Sequence, residues 1–129
     1  MRSFFFAFLF LGGFLSFALS GAEFKPVEEK FQGEIVRIGT GECREVGSKC
    51  LDEVFLVVKM EDGQEMVWHI GPKAVVSEMI RALTVGQRIT GLVFKTMNLA
   101  PGHYLVRQII TKDQDIEFRN HDLQPFWAL

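Results

Sequence analysis

The sequence predicts an all-β domain with one helix, its five strands closed into a small barrel. Three observations carry this. Short runs of β-branched and aromatic residues recur between turn residues from Phe31 to Thr111. Asp62-Gly63 lies between two such runs as a strong hairpin signal. Only from Lys73 to Leu83 does the apolar period lengthen from that of a strand to that of a helix.

The elements follow in order. Glu23 to Lys30 is polar, contains Pro26, and reads as a short lead-in. Phe31 to Thr40 alternates Phe31, Gly33, Ile35 and Arg37 with Gln32, Glu34, Val36 and Ile38, giving the first strand. Val54 to Met60 and Gln64 to Ile70 form the next two, joined at Asp62-Gly63. A two-residue loop there sets Glu61 opposite Gln64, Lys59 opposite Met66, Val57 opposite Trp68 and Phe55 opposite Ile70. The other face then carries Val54, Leu56, Val58, Val67 and His69, which is also mostly apolar and needs a cover. Gly71-Pro72 ends the third strand, and proline suits a first helical turn. Val75, Val76, Met79, Ile80 and Leu83 then recur as one stripe over about three turns. Gln87 to Lys95 and His103 to Thr111 are the last two barrel strands, separated by a loop with Pro101-Gly102. Asp115 to Arg119 extends the sheet by a hairpin through Lys112, Asp113 and Gln114. This order, with a helix between the third and fourth strands, is that of the OB-fold. An SH3-like barrel is the alternative, though it usually lacks a three-turn helix at that point.

Ahead of the domain, Arg2 precedes an apolar run from Phe4 to Phe10, Gly12-Gly13, a second apolar stretch to Leu19, and then Ser20, Gly21 and Ala22. That is the order of a secretory signal peptide, with cleavage expected after Ala22 and a single domain from Glu23 to Leu129. An uncleaved membrane anchor is the alternative, but the apolar core of about 16 residues falls short of the ~18 to 20 needed to span a bilayer. No cysteine lies near the cleavage site, which excludes lipid-anchored export. Periplasmic or secreted localisation is therefore expected, with no stable membrane insertion after cleavage.

Losing Arg2 reduces the 14 basic residues to 13, against 16 acidic ones, for a formal charge of -3. Mild acidity without any basic cluster argues against nucleic acid, whose binding depends on neutralised phosphates. The only cysteines, Cys43 and Cys50, lie seven positions apart in the exported part, where a disulfide is the default. Closing so short a loop restrains the unfolded chain by about 2.5 kcal/mol in the entropy model. A redox-active pair or metal clip fits less well, because Cys-x-x-Cys spacing is absent and no histidine lies within the loop. Free thiols are the third possibility.

Ile70-Gly71-Pro72, together with Phe118-Arg119 and the closing Pro125-Phe126-Trp127, resembles a group of small exported bacterial OB-fold proteins, some associated with magnetosomes. Members carry a leader, a Leu-Gly-Pro at the strand-to-helix junction, and a closing Leu-Arg motif that runs to Pro-x-Trp. Here no aromatic follows Gly71-Pro72, and Leu123-Gln124 stands where that group has a glycine-containing turn. The resemblance implies an envelope binding or assembly module and supplies no catalytic residues.

The residues themselves give no reaction. His69, His103 and His121 show no ligand spacing, so no metal site and no cofactor are expected. No haem-attachment motif, nucleophile elbow or phosphate loop is present. Asp113, Asp115 and Glu117 read as a solvated hairpin, since a calcium loop needs more oxygen ligands and a glycine at its bend. Trp68, between Met66 and Ile70, reads as core, whereas Phe126 and Trp127 are candidates for C-terminal packing or contact. The expected function is a non-catalytic module that binds a protein partner or small ligand. Its candidate binding face is Leu56, Val58, Val67 and His69, and a redox or metal-handling role for Cys43 and Cys50 is the alternative.

Overall fold

A computed structural model describes residues 26–41 and 52–128. The leader and both cysteines lie outside the described residues. The elements are β1 (Glu29–Gly41), β2 (Glu53–Lys59), β3 (Glu65–Pro72), α1 (Lys73–Val76), β4 (Arg88–Phe94), β5 (His103–Ile110), β6 (Asp115–Glu117) and a final 3-10 turn over Phe126–Ala128. The strands run β3-β2-β1-β4-β5, and a parallel pairing of β3 with β5 closes the ring. All other pairings are antiparallel, and β6 extends the sheet beyond β5. This is the five-stranded OB-fold-like barrel, with α1 between β3 and β4.

β1 is long enough to serve two neighbours. Its first half pairs with β4 and its second half with β2, and a bulge at Val36 bends it between the two. Ile35, Leu56, Val58, Trp68, Val93 and Ile109 fill the interior. Trp68 is fully buried and spans the barrel so closely that a Cβ at Gly91 would lie 2.4 Å from its ring. Glycine on β4 is thus what makes room for the largest core side chain.

Two sequence expectations are corrected. The β2–β3 hairpin does not turn in two residues: Met60 N donates to Gln64 O at 2.8 Å, and Gly63 N to Met60 O at 3.0 Å. The loop is Glu61-Asp62-Gly63, with Gly63 in the left-handed region at φ 88°. Val57 therefore faces Val67, and Leu56 faces Trp68. The helix is also shorter than its apolar stripe. Ser77 Oγ donates to Lys73 O at 2.7 Å, and the bonds beyond tighten to i→i−3 at Arg81 and Leu83. The stripe is still used, because Val76, Ile80 and Leu83 are buried.

Candidate functional site

The register correction decides which side chains face outward. Leu56 and Val58 are fully buried beside Trp68 and belong to the core, so they are not part of an outer binding face. The expected face mixed the two sides of the sheet, since a one-residue slip exchanges inside and outside on one strand. Val67 and His69 do lie on the outer side, alternating with the inward Trp68, and their β2 partners are Val57 and Phe55. Phe55, Val57 and Val67 are half-buried, and the Arg37 guanidinium lies 5.1 Å from the Phe55 ring centroid.

His69 is the exception on that side, because it is only 3% exposed. Its Nδ1 lies 2.7 Å from Glu53 Oε1, and its Nε2 lies 2.8 Å from His103 Nδ1. The two imidazoles stack with centroids 5.1 Å apart, and Phe55 leans over His69 at 6.2 Å. Topology assembles this chain from three strands. Glu53 opens β2 opposite Gly41. His103 opens β5 at the foot of the β4–β5 loop, and parallel closure sets it opposite Val67. The β4–β5 loop and the β2–β3 surface are among the places where OB-folds receive ligands.

The hydrogen-bond order follows from the donors available. With Glu53 ionised, its carboxylate accepts from His69 Nδ1–H, and the Nε2 of a neutral His69 accepts from His103 Nδ1–H. Glu53 is also only 3% exposed, so its buried carboxylate depends on this partner. The backbone of His103 is held as well. Lys95 Nζ donates to His103 O at 3.0 Å and to Ala100 O at 3.1 Å, and it sits 4.8 Å from the Tyr104 ring centroid. Burial, and next the negative charge of Glu29, hold the Tyr104 hydroxyl above its ordinary value. A carboxylate that orients one imidazole, which in turn orients a second, fixes ring positions and tautomers. Among the described residues no three His, Cys, Asp or Glu side chains are grouped to hold a metal ion.

His69 and His103 are thus brought together where their sequence separation gave no reason to group them, His121 is exposed and takes no part in the chain, and Glu53 was missed. One signal could have found His103. Closing an OB-type barrel aligns the third and fifth strands in parallel, which brings the start of β5 beside β3. Glu53 lacked even that, because it stands at a strand end in the sequence.

The C-terminal candidates separate. Trp127 packs on Gly71, two residues along β3 from His69, so closely that a Cβ there would lie 2.5 Å from the indole. Arg119 is buried with its guanidinium 5.4 Å from the Phe94 centroid and 5.8 Å from that of Trp127, and its Nη1 donates to Leu123 O at 2.9 Å. Phe126 N donates to Phe118 O, but the Phe126 side chain is 44% exposed. Trp127 is therefore a packing residue against the strand-to-helix junction. Asp113, Asp115 and Glu117 are exposed, and Glu117 accepts from Arg107 at 3.3 Å. No described helix is long and apolar enough to cross a membrane.

No protein-family model matches the chain, and no curated protein is significantly similar to it, so the reading of the site rests on its own geometry.

Proposed function

We infer that this protein is an exported, non-catalytic OB-fold module of the bacterial envelope that binds a protein partner or small ligand through the outer surface of β2 and β3. One observation carries the reading. Phe55, Val57 and Val67 form a half-buried apolar surface beside Arg37, and the Glu53–His69–His103 chain stiffens its edge. An apolar patch with one cation and a rigid border suits recognition, because little side-chain freedom remains to be lost on binding. The leader supports export, and the absence of a nucleophile motif supports binding over catalysis. The test is a photo-crosslinking side chain at position 57 in the full chain, expressed in the bacterium that makes it. A discrete adduct that disappears in Phe55→Ala supports the reading. Absence of any adduct at positions 57 and 67 refutes it.

Export implies a mature N-terminus at Glu23 and a Cys43–Cys50 disulfide, which N-terminal sequencing and intact mass check together. A second reading, redox or metal handling by the two cysteines, draws on the pairing of Gly41 with Glu53. That pairing joins two residues that flank the cysteines in the sequence, and one of them is the carboxylate of the buried chain. A reduction potential near the compartment's poise favours cycling, and one well below it favours a structural bridge.

A further inference from the structure

β1 pairs with β4 over Glu29 to Glu34 and with β2 over Glu34 to Gly41, so its first half has a strand on one side only. β2 meets β1 only from Glu34 onward and ends at Lys59, so Lys30 to Gln32 form an open edge among the described residues. The ladder settles which backbone groups are exposed there. Ile35 N donates to Gln87 O at 2.9 Å and Ile35 O accepts from Gly86 N at 2.7 Å, both on the β4 side. Alternation then assigns Gly33 and Phe31 to the β4 ladder and turns the N–H and C=O of Lys30 and Gln32 toward the open side.

A cleft of about 590 Å³ lies along that edge, between β1 and the β2–β3 hairpin tip. Phe31, Met60 and Met66 give it an apolar floor, and the Phe31 ring is braced edge-on by Tyr104 at 5.5 Å. Thioethers adapt to side chains of different shape. The hairpin wall adds Glu61 and Asp62: Arg88 ion-pairs with Glu61 at 3.3 Å, while Asp62 accepts from Gln64 N at 2.9 Å through Oδ1 and keeps its negative charge toward the cleft for a basic group.

We propose that this edge is a strand-addition site for an extended peptide segment of a partner protein, with an apolar residue entering the Phe31–Met60–Met66 cleft beside a basic one. Backbone donors and acceptors repeating every second residue are matched by another polypeptide backbone, which a sugar or lipid cannot supply in that spacing. This surface is separate from the β2–β3 face, and either can fail without the other.

The test uses the purified exported protein and an end-blocked octapeptide of alternating valine and lysine, followed by amide hydrogen exchange. Without peptide, the amides of Lys30 and Gln32 exchange freely while those of Phe31 and Gly33 are protected. Saturating peptide slows the first pair at least tenfold. Gln32→Pro removes the open-edge donor and spares the backbone ladder to β4, losing there only the exposed bond from Gln32 Nε2 to Thr90 Oγ1, and it lowers peptide affinity at least tenfold. If that variant fails to fold, Met66→Ser at the cleft floor makes the same measurement and is expected to give the same loss. Protection of Lys30 and Gln32 in the free monomer overturns the proposal. So does their failure to respond at millimolar peptide, or protection that follows protein concentration and marks a second copy as the occupant.

Discussion

Gly71 and Trp127 offer the sharpest test of how the chain end is fastened. A methyl group at Gly71 would lie 2.5 and 2.6 Å from the indole Cη2 and Cζ2 of Trp127, closer than carbon atoms approach without displacement. Trp127 belongs to the final 3-10 turn, so it can withdraw, and the damage in Gly71→Ala is bounded by what its packing contributes. An indole buries 150–250 Å² when covered; with about half of that removed from water, at ~25 cal/mol per Å², the contribution is about 2 kcal/mol. Stacking on Arg119 adds roughly 0.5 kcal/mol. Gly71→Ala and Trp127→Ala should each lower urea stability by about 2 kcal/mol, and the double variant by no more than Trp127→Ala alone. The coupling of about 2 kcal/mol appears in a double-mutant cycle followed by far-UV circular dichroism. Costs that simply add would refute the contact. Gly91→Ala is the contrasting case, because its methyl group would meet Trp68 at 2.4 Å inside a sealed barrel. Trp68 cannot withdraw, so about 3 kcal/mol or more should be lost, with no relief from any change in the tail.

Three further outcomes are expected. Glu53→Ala leaves the buried Nδ1–H of His69 without its acceptor and should cost about 1–3 kcal/mol in urea unfolding, whereas Glu53→Gln, which keeps an acceptor, should cost less; equal costs would contradict the chain. Leu123 is held at φ 67°, so Leu123→Gly should raise the thermal midpoint by relieving a strain of about 1 kcal/mol, and an unchanged or lower midpoint would deny that strain. Tyr104 ionises above its ordinary value in the folded state, so the unfolded chain gives up that proton first and stability should fall as pH rises above about 10. Ultraviolet titration of Tyr104, the only tyrosine, checks this, and Glu29→Gln should bring its titration down.

The barrel was legible because its signals are local: turn residues, β-branched runs and one helical stripe each mark an element without reference to the others. The register of the central hairpin was not. Asp62-Gly63 suits a two-residue turn, and Gly63 equally suits the last position of the three-residue loop that forms. Alternation would ordinarily arbitrate between them. β2 and β3 are apolar on both faces, however, so either register buries hydrophobic side chains, and the sequence offers no polar row to mark the outside. Closure decides it, since Trp68 fits only where Gly91 lies across the barrel.

The same limit explains the candidate site. Glu53, His69 and His103 are separated by 16 and 34 positions, and each alone reads as an ordinary polar residue near a strand end or among apolar neighbours. Their relation exists only once β3 and β5 run side by side in parallel, a pairing that no turn motif announces. The Leu123 position points the same way. Leu123 takes the left-handed backbone that glycine favours, just before the closing proline. The turn is therefore required by where it delivers Pro125 and Trp127, opposite Arg119 and onto Gly71, and not by the residue that makes it. Gly71, Arg119 and Trp127 form one contact in space although nearly fifty residues separate the first from the second. That contact seals β3 two residues from His69, which joins the short motifs at the junction and the tail to the packing around the site.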